Sequence, residues 1–145
     1  MKEIRFEHLV ALVAILSALR FSLVLADVLP PLSSNSPGHS LFVLANIAVM
    51  VYLGWTFSKG GLKSAAIKGA VAAFASSVIL VFAMAIGTVV QKPVLGIAIP
   101  SFEMLLLVLL FTSMLNIAIG AILAVCGAWL ARLLQKKGIK KKGKK

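Results

Sequence analysis

Four long apolar runs limit what this chain can become. Leu9–Leu29, Leu41–Phe57, Ala65–Val90 and Phe102–Leu134 are built almost wholly of aliphatic, aromatic and small residues. A helix rising about 1.5 Å per residue needs about 20 such residues to cross the hydrocarbon core of a bilayer. Each run is long enough, or nearly so. Backbone N–H and C=O groups cannot go unpaired in hydrocarbon, which leaves helices and closed barrels as the spanning structures. The runs are continuous rather than alternating, which excludes a barrel. The expected fold is an all-α integral membrane protein, a four-transmembrane-helix antiparallel bundle.

Composition agrees. Of the 145 residues, 61% are hydrophobic, and the mean hydropathy is +1.06. Soluble domains sit near about 45–50% apolar. The runs leave only short connections and a tail, so there is no room for a soluble catalytic domain. The chain divides into a transmembrane domain over 1–134, with spans at about 9–29, 41–57, 65–90 and 102–129, and a disordered polybasic extension over 135–145. The last run is too long for a bilayer, and its final turns, from about Trp129, are expected to project beyond it.

Positive charge orients the bundle. Lys2 and Arg5 precede the first run, Lys59 and Lys63 lie between the second and third with Lys68 just inside the third, and a lysine cluster follows the fourth. The segment 30–40 has no Lys or Arg, and 91–101 has only Lys92. Lys and Arg favour the cytoplasmic side, so both termini are expected in the cytoplasm. Val24-Leu25-Ala26 before Asp27 has the small residues of a signal-peptidase site. Arg20 and the length of the run argue against cleavage, so it is read as a retained span. A prokaryotic plasma membrane is the expected setting.

The connections suggest how the spans pack. Pro30-Pro31 is expected to end the first span, and Ser33–Ser40 (SSNSPGHS) reads as a polar turn. The short turn at Lys59-Gly60-Gly61 predicts that spans two and three are antiparallel neighbours. The stretch Lys92–Pro100 (KPVLGIAIP) is unusually apolar for a connection and is read as interfacial. Two seams of small residues recur at four-residue spacing, Gly69, Ala73 and Ser77 in span three and Gly120, Ala124 and Ala128 in span four. Such seams let helices approach closely. They suit packing within one chain or a homo-oligomer, with the first preferred. The lone cysteine, Cys126, is read as a small packing residue.

Ionisable groups within spans are costly and point to function by default. Arg20 lies about 17 Å by helical rise from the start of its run, near the bilayer midplane. Asp27, seven residues on, shares its helix face and would meet it only with strain or a bridging water. Depth counting puts Ser76, Ser77 and Asn116 near Arg20, with Asp27 and Asn46 above them. These six residues form the expected intramembrane polar core. Glu7 and His8 fall at one mouth of the bundle and His39 at the other, so the histidines cannot share a metal.

The tail carries Lys136, Lys137, Lys140, Lys141, Lys142, Lys144 and Lys145. These are expected to meet anionic lipid headgroups, each contributing about 1 kcal/mol near the surface. No aromatic is interleaved for base stacking, which argues against nucleic acid. No paired acid–base, nucleophile–base or metal set occurs at one depth, so neither an enzyme nor a cofactor is expected. The first reading is a non-enzymatic subunit or scaffold of a membrane complex, with a membrane-protein partner or a homo-oligomer. The alternative is a small oligomeric transporter or channel for an anion or polar solute that uses Arg20.

Overall fold

The computed structural model describes residues 5–92, 94–96 and 102–142, with side chains through Gln135. Four helices account for nearly all of it: α1 (Phe6–Leu25), α2 (Pro37–Thr56), α3 (Gly61–Val89) and α4 (Phe102–Lys142), with a single 3-10 turn at Ser58–Gly60 between α2 and α3. The fold is all-helical, with no strand among the described residues. All four helices are long and apolar enough to cross a membrane.

Helix ends depart from the apolar runs for local reasons. α1 stops at Leu25, a turn before the prolines. Asp27 takes a left-handed backbone (φ 60°), and the Val28 and Asp27 N–H groups donate back to the Leu23 and Val24 carbonyls at 2.9 and 3.1 Å. This is the Schellman closure, in a residue that tolerates the left-handed region better than most. α3 ends the same way around Gln91 (φ 56°), with Lys92 N–H donating to the Gly87 carbonyl at 2.8 Å. α2 starts earlier than its apolar run. Ser36 caps it, accepting from the His39 N–H at 3.2 Å, and Pro37 occupies the first turn, where its missing N–H costs nothing. α4 continues through Lys142, into the stretch expected to be irregular. The side chains of Lys136, Lys137, Lys140, Lys141 and Lys142, and all of Lys144 and Lys145, lie outside the described residues, as does most of the apolar connection ahead of α4.

The helices form a ring in the order α1, α2, α4, α3. α2 and α3 touch, as their short turn requires, but they are not principal packing partners. Their contact is the least extensive of any touching helix pair, while α4 packs broadly on both, and the backbones of α1 and α4 do not approach each other. Small residues explain the order. A Cβ built at Gly54 of α2 would overlap the Ala124 carbonyl, and one at Gly127 would overlap the Val51 carbonyl. On the other side, Gly69 faces the Gly120 carbonyl and the Ala124 Cβ, and a Cβ at Gly120 would lie 2.5 Å from that of Ala73. α4 thus wedges its narrowest stretch between α2 and α3, holding apart two helices that a short turn would otherwise pair. Ala124 and Ala128 are fully buried in the wedge.

The bundle therefore has a terminal end, where α1 begins, α2 turns into α3 and α4 leaves, and a distal end, where α1 and α3 finish. The terminal half is filled by Leu9, Val13, Met50, Leu53, Ala72 and Ala124. At its rim Lys68 stands 3.7 Å from the Phe57 ring centroid and 5.7 Å from that of Phe6, and the two rings pack edge to face. Such cation–π contacts contribute about 0.5–2 kcal/mol. At the distal end a second cluster, including Phe21, Val24, Leu80 and Val94, fills the space between α1 and α3.

Candidate functional site

Between these clusters lies a partly open cavity of about 360 Å³, lined from all four helices. α1 contributes Ser17 and Arg20, α2 Asn46, α3 Ser76 and α4 Asn116; Val13, Phe21, Ile47, Met50 and Leu123 are among its apolar walls. A second space of about 530 Å³ opens at the distal end, lined by Ser33, Ser34, Asn35, His39 and Ser40 among others. Arg20 and Val43 line both. Arg20 thus lines both a distal vestibule and the central cavity.

The polar groups are not one cluster. Ser17 and Ser76 share a hydrogen bond at 2.7 Å, tying α1 to α3. The Asn116 amide donates to the Ala73 carbonyl at 3.1 Å and to the Ser77 hydroxyl at 3.0 Å, tying α4 to α3. Ser77, buried, returns its own proton to the Ala73 carbonyl at 3.1 Å; it joins this bolt and does not line the cavity. Interhelical bonds of this kind hold helices together at about 0.6–2 kcal/mol each. Asn46 is different. Its Oδ1 is buried and meets no donor among the described residues. An unmatched buried acceptor costs about 1–3 kcal/mol, so Asn46 is a polar group whose partner the fold does not supply.

Asp27 leaves the expected polar core. The left-handed turn takes it off the α1 face it would share with Arg20, and its exposed carboxylate pairs with Lys92. The Lys92 amine also donates to the Leu25 carbonyl at 2.9 Å. One lysine thus binds the last turn of α1 and its capping residue to the end of α3, the placement that favours a cation.

Among the described residues Arg20 therefore has no acid. Among the described residues its one hydrogen bond is from Nε to Nδ1 of His39, at a loose 3.4 Å, and no carboxylate lines either space. His39 is held firmly. It is buried, and its Nε2–H donates to the Pro30 carbonyl at 2.8 Å, with the Pro31 carbonyl at 3.3 Å. This is the tautomer that leaves Nδ1 free to accept from Arg20. With Nε engaged, the two Nη groups remain as paired donors. Sequence reasoning left His39 in a polar turn. The signal was the Ser36-Pro37 start, which puts His39 in the first turn of α2 instead.

The remaining candidates lie elsewhere. Gly69, Ala73, Gly120, Ala124 and Ala128 belong to the α4 wedge and are committed within the chain. Cys126 is exposed on α4. Among the described residues, no three His, Cys, Asp or Glu side chains converge as a metal site would need. Comparison with known proteins gives no matching family model, no matching characterised protein and no matching solved structure. The reading of function therefore rests on the site itself.

Proposed function

We propose that this protein is a small multi-pass membrane protein that binds an anionic solute in its central cavity and carries it across the bilayer. The observation that supports this best is Arg20: it lines both a distal vestibule and the central cavity, and among the described residues its Nη groups meet no acceptor and no carboxylate lines either space. A cation withdrawn from water without a counter-ion is costly, and a bound anion removes that cost. The terminal half, packed below the cavity, acts as the closed gate of this state. The Lys and Arg distribution supports cytoplasmic termini; on that orientation the vestibule faces outward and the described state is open to the outside. The polybasic end of α4 then meets the anionic inner leaflet of a prokaryotic plasma membrane.

The test is counterflow of labelled small carboxylates in proteoliposomes at neutral pH. Wild-type protein should exchange them, and Arg20→Gln should not. Equal exchange by both, or none above protein-free liposomes, would refute the reading.

A second reading is a non-enzymatic subunit whose Arg20 meets a partner's carboxylate. The breadth of apolar surface on α4 favours it; Leu107 and Phe111 are about 70% exposed. Native mass after extraction in mild detergent separates the two. A stable hetero-complex supports the subunit, and a monomer or homo-oligomer supports the carrier.

A further inference from the structure

Arg20 has an ionisable neighbour in the vestibule wall that anion binding alone does not use. Resting on the carrier reading above, we infer that His39 binds a proton that travels with the anion, which makes the protein a proton–anion symporter.

The two ring nitrogens of His39 have different duties. Nε2 stands 2.8 Å from the Pro30 carbonyl and 3.3 Å from that of Pro31. Carbonyl oxygens only accept, so Nε2 carries a hydrogen and is committed to the chain. Nδ1 is then the one ring position where a proton is gained or lost. It faces Arg20, whose Nε–H donates to it at 3.4 Å. Both side chains line the distal vestibule. When the guanidinium turns to an anion, Nδ1 is released to the water of that space.

A proton on Nδ1 changes the pair. Nδ1–H no longer accepts, so the bond from Arg20 is lost and two cations stand side by side. Among the described residues no other ionisable side chain lines the vestibule. α1 brings only Arg20 and α2 only His39; the connection between them brings serines, an asparagine and a leucine, and α3 and α4 bring nothing. Asp27 and Lys92 are paired with each other and line a separate space with Pro30 and Pro31. The negative charge that the two cations need is therefore the anion itself. By linkage the anion favours the proton and the proton favours the anion by the same factor. Charge sets the ratio. The empty site holds one positive charge, on Arg20. Loaded with one anion and one proton it holds one net positive charge again, so it crosses with the same charge in both states.

Two measurements on the full chain test this. The first is uptake of labelled 2-oxopropanoate into proteoliposomes, with protein-free liposomes subtracted. At equal pH on both sides the protein should show counterflow without accumulation. With the outside at about pH 6 and the inside at about pH 7.5, the label should accumulate toward about thirtyfold, the proton ratio itself for one proton per anion. His39→Asn keeps an acceptor toward Arg20 but no titrating nitrogen, and should not accumulate label. The second measurement is ring-nitrogen NMR of His8→Asn, which leaves His39 as the one histidine. Saturating 2-oxopropanoate should raise the midpoint of Nδ1 protonation by about one pH unit, a tenfold coupling. Neither the uptake by wild-type protein nor the NMR needs a change at the site. Counterflow without accumulation under the gradient, or a midpoint that the bound anion does not move, would overturn this inference and leave the anion reading standing. Accumulation that survives in His39→Asn would also overturn it. Absence of counterflow would overturn both.

Discussion

Replacing Gly54 with alanine should destabilise the protein, although in an ordinary helix the same change is favourable. Alanine exceeds glycine in helix propensity by about 0.8–1.0 kcal/mol, so without a neighbour the variant would be more stable. Here the new methyl meets backbone. It would lie 2.6 Å from the Ala124 carbonyl carbon and 2.8 Å from its Cα, and would overlap the oxygen. Carbon atoms rest at about 3.5–4.0 Å, so α2 and α4 must separate by about 1 Å along the line where Ala124, Gly127 and Ala128 are buried. Overpacking of this kind costs about 1–3 kcal/mol, and a rigid helix on each side argues for the upper part of that range. Allowing for the propensity gain, Gly54→Ala should lose about 1–2 kcal/mol net. Gly38→Ala is the matched control, since its methyl meets the movable Cδ2 of Leu29. Reversible unfolding in mixed micelles, followed by tryptophan fluorescence, gives both values; Trp55 adjoins the contact. Gly54→Ala as stable as wild type, or less harmful than Gly38→Ala, would refute the wedge.

Other consequences follow from particular contacts. Asn116→Leu removes the bolt between α3 and α4 and should cost about 0.6–2 kcal/mol in the same unfolding assay, whereas Thr112→Val, outside any described bolt, should cost less. Ser36→Ala removes the α2 cap, worth about 1 kcal/mol, and should raise hydrogen exchange at the His39 amide, which the serine hydroxyl accepts from. Asp27→Val forces a branched side chain into the left-handed region and should be less stable than Asp27→Gly by about 1–2 kcal/mol. The lost pair with Lys92 is common to both variants and, being exposed, adds little.

The spans were legible because length and apolarity alone decide whether a helix can cross a bilayer, and those properties belong to the chain before it folds. Their ends were less so. The cap at Ser36 and the left-handed turns at Asp27 and Gln91 depend on a few hydrogen bonds that apolar runs do not register. The contact of α2 and α3 was legible but not its small extent, because a short turn constrains the ends of two helices and not what packs against their bodies. The small residues of α4 were visible as one seam, but Gly54 and Gly127 show that α4 is narrow on two sides. The polar set suffered from the same gap. Depth counting placed Arg20, Asn46 and Asn116 at related heights, yet lateral order decides who meets whom. Spacing alone tied Asp27 to Arg20, and the turn at Asp27 ends the helix before that spacing applies. His39 was assigned to a turn because the proline before it was taken as a breaker rather than as the first residue of a helix.

The most direct test of the account is thiol accessibility at Val43, the residue that lines both spaces beside Arg20. In a Cys126→Ser background, Val43→Cys should react with a membrane-impermeant thiol reagent added from the distal side, and a small carboxylate should slow that reaction. Ile15→Cys, on the exposed apolar face of α1, should stay unreactive in lipid. Labelling at Val43→Cys that is no faster than at Ile15→Cys, or unaffected by carboxylate, would contradict a water-filled path to an anion site at Arg20.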